Sequence, residues 1–356
     1  MYQERLGRVL DGLEAMGLRQ MIVSDPRSIW YLTGIDCEPY ERLLAMYICK
    51  GKTPVLFLNR LFNVSDTPYE EVWHTDTDRP VEQIAARILP GEPLGIDKEW
   101  PARFLIPLME CCPSLRVRLA SDAVDSCRAR KDAAEIALMR EASRINDEVI
   151  EHAAAHVRAG MTEKQLAALI EEGYKAAGCS GTSFETIVSF GEHAADPHHA
   201  PDETVLHEGQ CVLIDMGCRK DHYCSDMTRT YFYGQPDAEF IAVHNLVRRA
   251  CEHAESMVRP GVPLCEIDRA ARSIIEEAGY GEFFNHRLGH FIGQTDHEKG
   301  DVSAANTAQA EPGMIFSIEP GVYLKGRFGV RIEELVLVTE NGCEVLTHVS
   351  RQLRSL

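Results

Sequence analysis

The sequence contains no C-x-x-C pair, no uninterrupted apolar run near the roughly 18 residues that span a bilayer, and too few cations to balance its acids. Each absence excludes something. Without closely paired cysteines, neither a zinc ribbon nor a thioredoxin-type motif can be built. The twelve cysteines of the 356-residue chain are scattered, with only Cys111 and Cys112 adjacent, and read as free thiols in a reducing compartment. The missing apolar run excludes a membrane-spanning helix. Charge in Met1-Tyr2-Gln3-Glu4-Arg5 stands where a signal peptide needs its apolar core, so the expected location is cytoplasmic. Lys and Arg number 37 against 55 Asp and Glu, a formal charge of -18 that argues against nucleic acid or an anionic membrane as partner. The serine-nucleophile motif G-x-S-x-G is missing too.

What is present suits a two-domain protein with a proper core, since 45% of the residues are hydrophobic. Helical spacing at Leu6, Val9, Leu10 and Leu13 ends at Gly17. Strands are expected at Gln20-Met21-Ile22-Val23 and Pro54-Val55-Leu56-Phe57-Leu58, a strand or turn at Tyr31-Leu32-Thr33-Gly34, and a helix from Val81 to Ile88. From Lys131 the texture changes. Asp132 with Glu135, and Thr162 with Gln165, are capping-box pairs that open two helices. Two more helices, Asp237 to Val258 and Pro263 to Ala278, alternate with β-rich segments at 211–217, 225–233, 314–323 and 330–338. The expected class is α/β (α+β), with domains 1–126 and 127–356.

Chemistry concentrates in the second domain. Val212-Leu213-Ile214-Asp215-Met216-Gly217 and Ser225-Asp226-Met227-Thr228-Arg229-Thr230 each place an acid in apolar company, which is costly unless a partner neutralises it. A hairpin turning at Lys220-Asp221 sets Asp215 opposite Asp226, with both side chains on one face. Either acid alone reads as an ordinary turn residue; the pair invites a cation. Likewise Phe316-Ser317-Ile318-Glu319-Pro320-Gly321 and Val330-Arg331-Ile332-Glu333-Glu334-Leu335 form a hairpin centred on Gly326. It sets Glu319 opposite Glu333, with Arg331 on the face of Glu333 and Glu334 turned away as a solvated charge. Between the pairs runs His286-Arg287-Leu288-Gly289-His290, followed by His297. Four carboxylates and an imidazole suit Mn²⁺, Fe²⁺ or Co²⁺, with Zn²⁺ possible. Two such ions sharing carboxylates can hold a hydroxide and polarise a carbonyl, a site that hydrolyses amides without a Ser or Cys nucleophile.

The order Asp, Asp, His, Glu, Glu in these contexts, across Ser189 to Val338, resembles the pita-bread metallopeptidases, which include Xaa-Pro aminopeptidases, prolidases and methionine aminopeptidases. The segment Ser24-Asp25-Pro26-Arg27-Ser28-Ile29-Trp30-Tyr31-Leu32-Thr33-Gly34 resembles part of the creatinase-like amino-terminal domain of the proline-specific members, which methionine aminopeptidases lack. The resemblance implies a homodimer, a peptide substrate and two divalent ions, Mn²⁺ foremost. It assigns Asp215 to one metal, His290 and Glu319 to the other, and Asp226 and Glu333 as bridges. Glu319 would also take a proton from the attacking bridging hydroxide or water. His198 and His297 match histidines that contact the substrate, His286 one near the proline pocket, and Arg331 an arginine beside the ligands. Phe291, Gln294-Thr295-Asp296 and Asp196 depart from the family pattern, and are expected in the substrate pocket. The implied activity is hydrolysis of the Xaa-Pro bond at a peptide N-terminus or in a dipeptide. The alternatives are a metal-free creatinase-like hydrolase of another small amide and a non-enzymatic binding module. Both kinds of relative lose the ligand set that this chain keeps.

Overall fold

A computed structural model describes residues 2–65 and 67–356, and the chain forms two compact units, 1–128 and 129–356. In the first unit the strands are β1 (Gln20–Val23), β2 (Ala45–Cys49), β3 (Val55–Asn59), β4 (Glu70–His74), β5 (Leu94–Ile96) and β6 (Val117–Leu119), in sheet order β4-β3-β2-β1-β5-β6. Helices α1 (Tyr2–Ala15), α2 (Pro26–Thr33) and α5 (Asp122–Ala129) cover one face, and α3 (Pro80–Ala85) and α4 (Ala102–Cys111) the other. Alternation along β1 shows why Met21-Ile22-Val23 is an unbroken apolar run: Met21 and Val23 pack toward α1, while Ile22 packs toward α3 and α4.

One expectation fails here. Tyr31 to Thr33 lie inside α2 and are neither strand nor turn. The Asp25 carboxylate accepts the backbone N–H groups of Arg27 and Ser28, Pro26 opens the helix, and Gly34 at φ 78° closes it. A complete set of end signals outweighs the β-branched and aromatic composition between them.

The second unit repeats one plan twice. Helices α6 (Ala133–His156) and α7 (Glu163–Ala176), each with its capping box formed, precede β7 (Gly181–Thr182), β8 (Ile187–Phe190), β9 (Gln210–Met216), β10 (Cys218–Lys220), β11 (Tyr223–Cys224) and β12 (Met227–Tyr233). Helices α8 (Ala238–Met257) and α9 (Leu264–Glu277) precede β13 (Gly289–Phe291), β14 (Glu298–Val302), β15 (Ile315–Ile318), β16 (Gly321–Leu324), β17 (Phe328–Arg331), β18 (Glu334–Val338) and β19 (Cys343–Val345). Ile150, Ile170 and Tyr174 of α6 and α7 bury Ile214 and Tyr231; Val247 and Ile267 of α8 and α9 bury Phe316 and Val336.

Each half carries one hairpin that breaks where its acids sit. In the first, β9 pairs with β12 and β10 with β11 in a single register, with Asp215 opposite Thr228 and Lys220 opposite Tyr223. The turn is therefore Asp221-His222, both at positive φ, one residue beyond the expected turn, and Asp226 is not opposite Asp215. A shift of two in the pairing keeps the same face, so both acids still point to one side. The break falls at Gly217, where an added Cβ would lie 2.0 Å from the Ser225 carbonyl oxygen. In the second hairpin Ile318 faces Glu334 and Gly321 faces Arg331, around Gly326 at φ 74°, which puts Glu319 opposite Glu333 as expected. The expected long strands 314–323 and 330–338 each split there, because Pro320 has no N–H to give the ladder.

Candidate metal centre

All nine residues singled out from the sequence (His198, Asp215, Asp226, His286, His290, His297, Glu319, Arg331 and Glu333) line one pocket of about 420 Å³ in the second unit. Gly289 lets β13 approach β15 closely: a Cβ there would lie 1.9 Å from the Ser317 carbonyl oxygen. His290 follows, its backbone N–H on the Ser317 hydroxyl, which in turn donates to Glu319 at 3.2 Å. The His290 Nε2 atom then lies 3.5 Å from Asp226 Oδ2 and 3.6 Å from Glu319 Oε1. Ligand atoms of Asp226, His290 and Glu333 all fall within 4.8 Å of one another, a group able to hold a metal ion.

The surrounding bonds orient these donors. Thr228 donates to Glu333 Oε2 at 2.8 Å and accepts from Arg331 Nε at 3.0 Å. Arg331 reaches Asp215 Oδ2 at 2.5 Å and the Tyr323 hydroxyl at 3.0 Å, and that hydroxyl meets His286 Nε2 at 3.0 Å. Arg331 thus directs its donors at protein groups within the site. Thr228 and Tyr323 were not singled out from the sequence, although strand alternation puts Thr228 on the face of Asp226 and Tyr323 on that of Glu319.

Electrostatics mark the pocket as built for a cation. Burial, then the charges of Asp215 and Glu319, push the Asp226 carboxyl well above the usual range. Burial, then the charges of Asp226, Glu319 and Asp215, do the same to Glu333, and burial raises Asp215 against the pull of Arg331. Asp215 Oδ1 and Asp226 Oδ1 are buried without a hydrogen-bond partner. Orphaned carboxylate oxygens beside an imidazole fit a divalent ion of the oxygen- and nitrogen-liganded kind. Burial lowers His286 and His297, which keeps both imidazoles neutral near pH 7.

A pH dependence follows. In the metal-free protein these acids bind protons more tightly folded than unfolded. Their contribution to stability is full below the ordinary carboxylate range of about 4 and is lost as pH rises through the raised folded-state values. Ion binding displaces those protons, so the stabilisation given by added metal is expected to grow with pH over the same window. Melting curves with and without metal at stepped pH check this; a constant metal-induced shift in melting temperature across the series contradicts it.

Two expectations need correction. Glu334 is not solvated: it is fully buried, with Arg229 Nη2 at 2.7 Å and Arg351 Nε at 2.8 Å, because the opposite face of β18 is itself covered. Phe291 and Gln294 do not line the pocket. Phe291 packs on Phe316 with ring centres 5.6 Å apart, and Gln294 is 2% exposed. Of the other departures from the family pattern, Asp296 lines it, while Thr295 and Asp196 do not; Arg287, which the sequence did not single out, lines it too.

A second group of the described residues, Glu163, His193, His199 and Asp202, also brings ligand-type atoms within 4.8 Å. The sequence pattern assigns no role to His193 or His199 and does not single out Glu163.

Comparison with known proteins accords with this geometry. Residues 137–340 match the model of Metallopeptidase family M24, and residues 5–130 that of the Creatinase/Prolidase N-terminal domain. An uncharacterized peptidase of Staphylococcus aureus is 36% identical over 98% of this chain and 99% of its own. Among solved structures, dipeptidase PepE from Mycobacterium ulcerans superposes with a TM-score of 0.92 at 35% identity, covering 99% of this chain and 97% of that one. Prolidase from Thermococcus sibiricus gives 0.94 at 32%, covering 100% and 99%. The pita-bread unit and the creatinase-like unit before it are therefore both present, and the chain belongs to metallopeptidase family M24.

Proposed function

We propose that the protein is a metal-dependent exopeptidase that cleaves Xaa-Pro bonds, acting on dipeptides. The observation that carries this reading is the convergence of Asp215, Asp226, His290, Glu319 and Glu333 on one pocket. The kinship with a dipeptidase and a prolidase supports the substrate class. In this reading Asp215 would hold one ion and His290 and Glu319 the other, with Asp226 and Glu333 contributing to both; Mn²⁺ is the foremost candidate, with Co²⁺, Fe²⁺ and Zn²⁺ behind it. When bound, such a pair supplies a water-derived nucleophile at neutral pH and polarises the scissile carbonyl.

The chain's own groups do the rest. Glu319, the most accessible of the four acids and the imidazole, takes the proton of the attacking water and passes it to the leaving nitrogen. His198 and His297 donate to the developing oxyanion, worth about 3–4 kcal/mol by analogy with other oxyanion donors. His286 borders the leaving residue. With Arg331 engaged by Asp215, Thr228 and Tyr323, the half-buried Arg287 is the arginine of the lining that can meet the free carboxylate of a dipeptide. A cytoplasmic homodimer completes the reading.

The test is amino-acid release from Ala-Pro, Ala-Pro-Ala, Met-Ala-Ser and Ala-Ala-Ala by metal-stripped enzyme, with Mn²⁺, Co²⁺ or Zn²⁺ restored. Metal-dependent cleavage of Ala-Pro above all others is expected. Arg287→Ala is expected to lower kcat/KM for Ala-Pro about tenfold, as loss of a charge-assisted bond does, and to leave Ala-Pro-Ala unchanged. Preference for the tripeptide in the unaltered enzyme overturns the dipeptide assignment, and silence on every peptide overturns the peptidase.

A further inference from the structure

The segment from Phe190 to Asp202 carries His198 to the rim of the pocket, and one buried side chain behind it gathers both of its ends. Glu163, the first residue of α7, is fully buried. Its Oε1 accepts the Phe190 backbone N–H at 2.8 Å and His193 Nδ1 at 3.0 Å. Its Oε2 accepts His199 Nε2 at 2.7 Å and the Asp202 backbone N–H at 3.1 Å. Two partners lie before His198 in the chain and two after it. The His193 and His199 rings sit 4.2 Å apart around the same carboxylate.

The opposite side of the segment is seated as closely. Gly329 of β17 lies under Ala194, where an added Cβ would stand 1.7 Å from the Ala194 carbonyl oxygen. Within the segment, Asp196 accepts the His198 backbone N–H at 3.0 Å.

We propose that Glu163 is a positioning residue that fixes the 190–202 segment, and through it the His198 imidazole, over the acidic pocket. The inference rests on the oxyanion role given to His198 above. The alternative use of the cluster is a metal site, and hydrogen-bond satisfaction separates the two. An ionised carboxylate has about four lone-pair sites, and Glu163 receives four donors. In the acidic pocket, by contrast, Asp215 and Asp226 each keep a buried oxygen with no partner. The Glu163 carboxylate is fully paired without an ion; the acids of the pocket are not.

A double-mutant cycle with hydrogen exchange tests this on the metal-loaded, full-length enzyme with Ala-Pro. Glu163→Gln turns one acceptor into a donor and is expected to lower kcat about 10- to 100-fold, the usual cost of losing a group that orients a reacting one. In a His198→Ala background the same change is expected to cost almost nothing, whereas in a His297→Ala background it should cost its full amount. Amide exchange across 186–204 should speed up in Glu163→Gln with the rest of the second unit unchanged. Equal losses in all backgrounds overturn the proposal, as does unaltered exchange in the segment. If His198→Ala alone keeps full activity, or no peptide is cleaved, the role of His198 falls, and exchange still decides whether Glu163 holds the segment. Should Glu163→Gln not fold, His199→Asn removes one of the four bonds and answers the same question more mildly. A third equivalent of Zn²⁺ by native mass spectrometry, lost in His193→Ala, shows a metal site instead and overturns the hydrogen-bond reading.

Discussion

Asp226→Asn is expected to abolish measurable turnover and to strip metal from the protein while leaving the fold intact. Asp226 is 4% exposed, 3.5 Å from His290, and holds one carboxylate oxygen with no protein partner. The amide keeps the shape but removes the charge that would balance a dication, and turns one donor oxygen into an N–H₂ that repels it. The isosteric change also removes a buried, crowded negative charge, so the metal-free variant should be no less stable than the metal-free parent. Metal content after dialysis, turnover on Ala-Pro and a melting curve check the three parts. Full activity in metal-controlled buffer rejects Asp226 as a ligand. The informative contrast is Glu319→Gln: a proton-transfer residue should lose about 10²- to 10⁴-fold in kcat while much of the metal stays.

The second large effect is on stability and lies behind the site. Glu334 sits between Arg229 and Arg351, and Arg229 also donates to the carbonyl oxygens of Thr228, Glu333 and Val349. Glu334→Ala leaves a buried guanidinium without its counter-charge, which typically costs about 3–5 kcal/mol. Arg229 is 2% exposed and cannot swing to water. A fall in the urea midpoint with an unchanged slope is the expected result. An unchanged midpoint shows that solvent or the neighbouring Glu255 carboxylate takes over the counter-charge, and that the pair is not a keystone of β12 and β18.

How much of this could be read in advance depended on periodicity. A two-residue side-chain repeat tolerates even errors: the first hairpin was placed with its pairing off by two, yet Asp215 and Asp226 still shared a face. The turn itself was obscure because Asp221 and His222 hold left-handed conformations usually left to Gly or Asn. Gly326 announced the second turn, and Glu319 fell opposite Glu333. What alternation could not report was the environment of the far face. Glu334 was assigned to solvent because a hydrophobic-in, polar-out pattern assumes one buried side, and β18 is buried on both. The Glu163 cluster was invisible for a related reason: the residues that meet there are separated by 27 positions or more from Glu163, with no element pattern linking them. Helix ends were the most legible feature, since Asp132 with Glu135 and Thr162 with Gln165 act on their own backbone and need no tertiary partner.

The division of the acidic pocket between two hairpins bears on how the protein is made. A ribosome that has released the chain only through β12 has delivered Asp215 and Asp226, two repelling acids with neither His290 nor Arg331 beside them. The remaining donors arrive later, His290 first, then Glu319, and Glu333 last, 100 residues past the end of β12. No metal can be captured in the completed geometry during most of synthesis. Any ion this pocket takes is therefore taken only after Glu333 has left the ribosome, near the end of the chain.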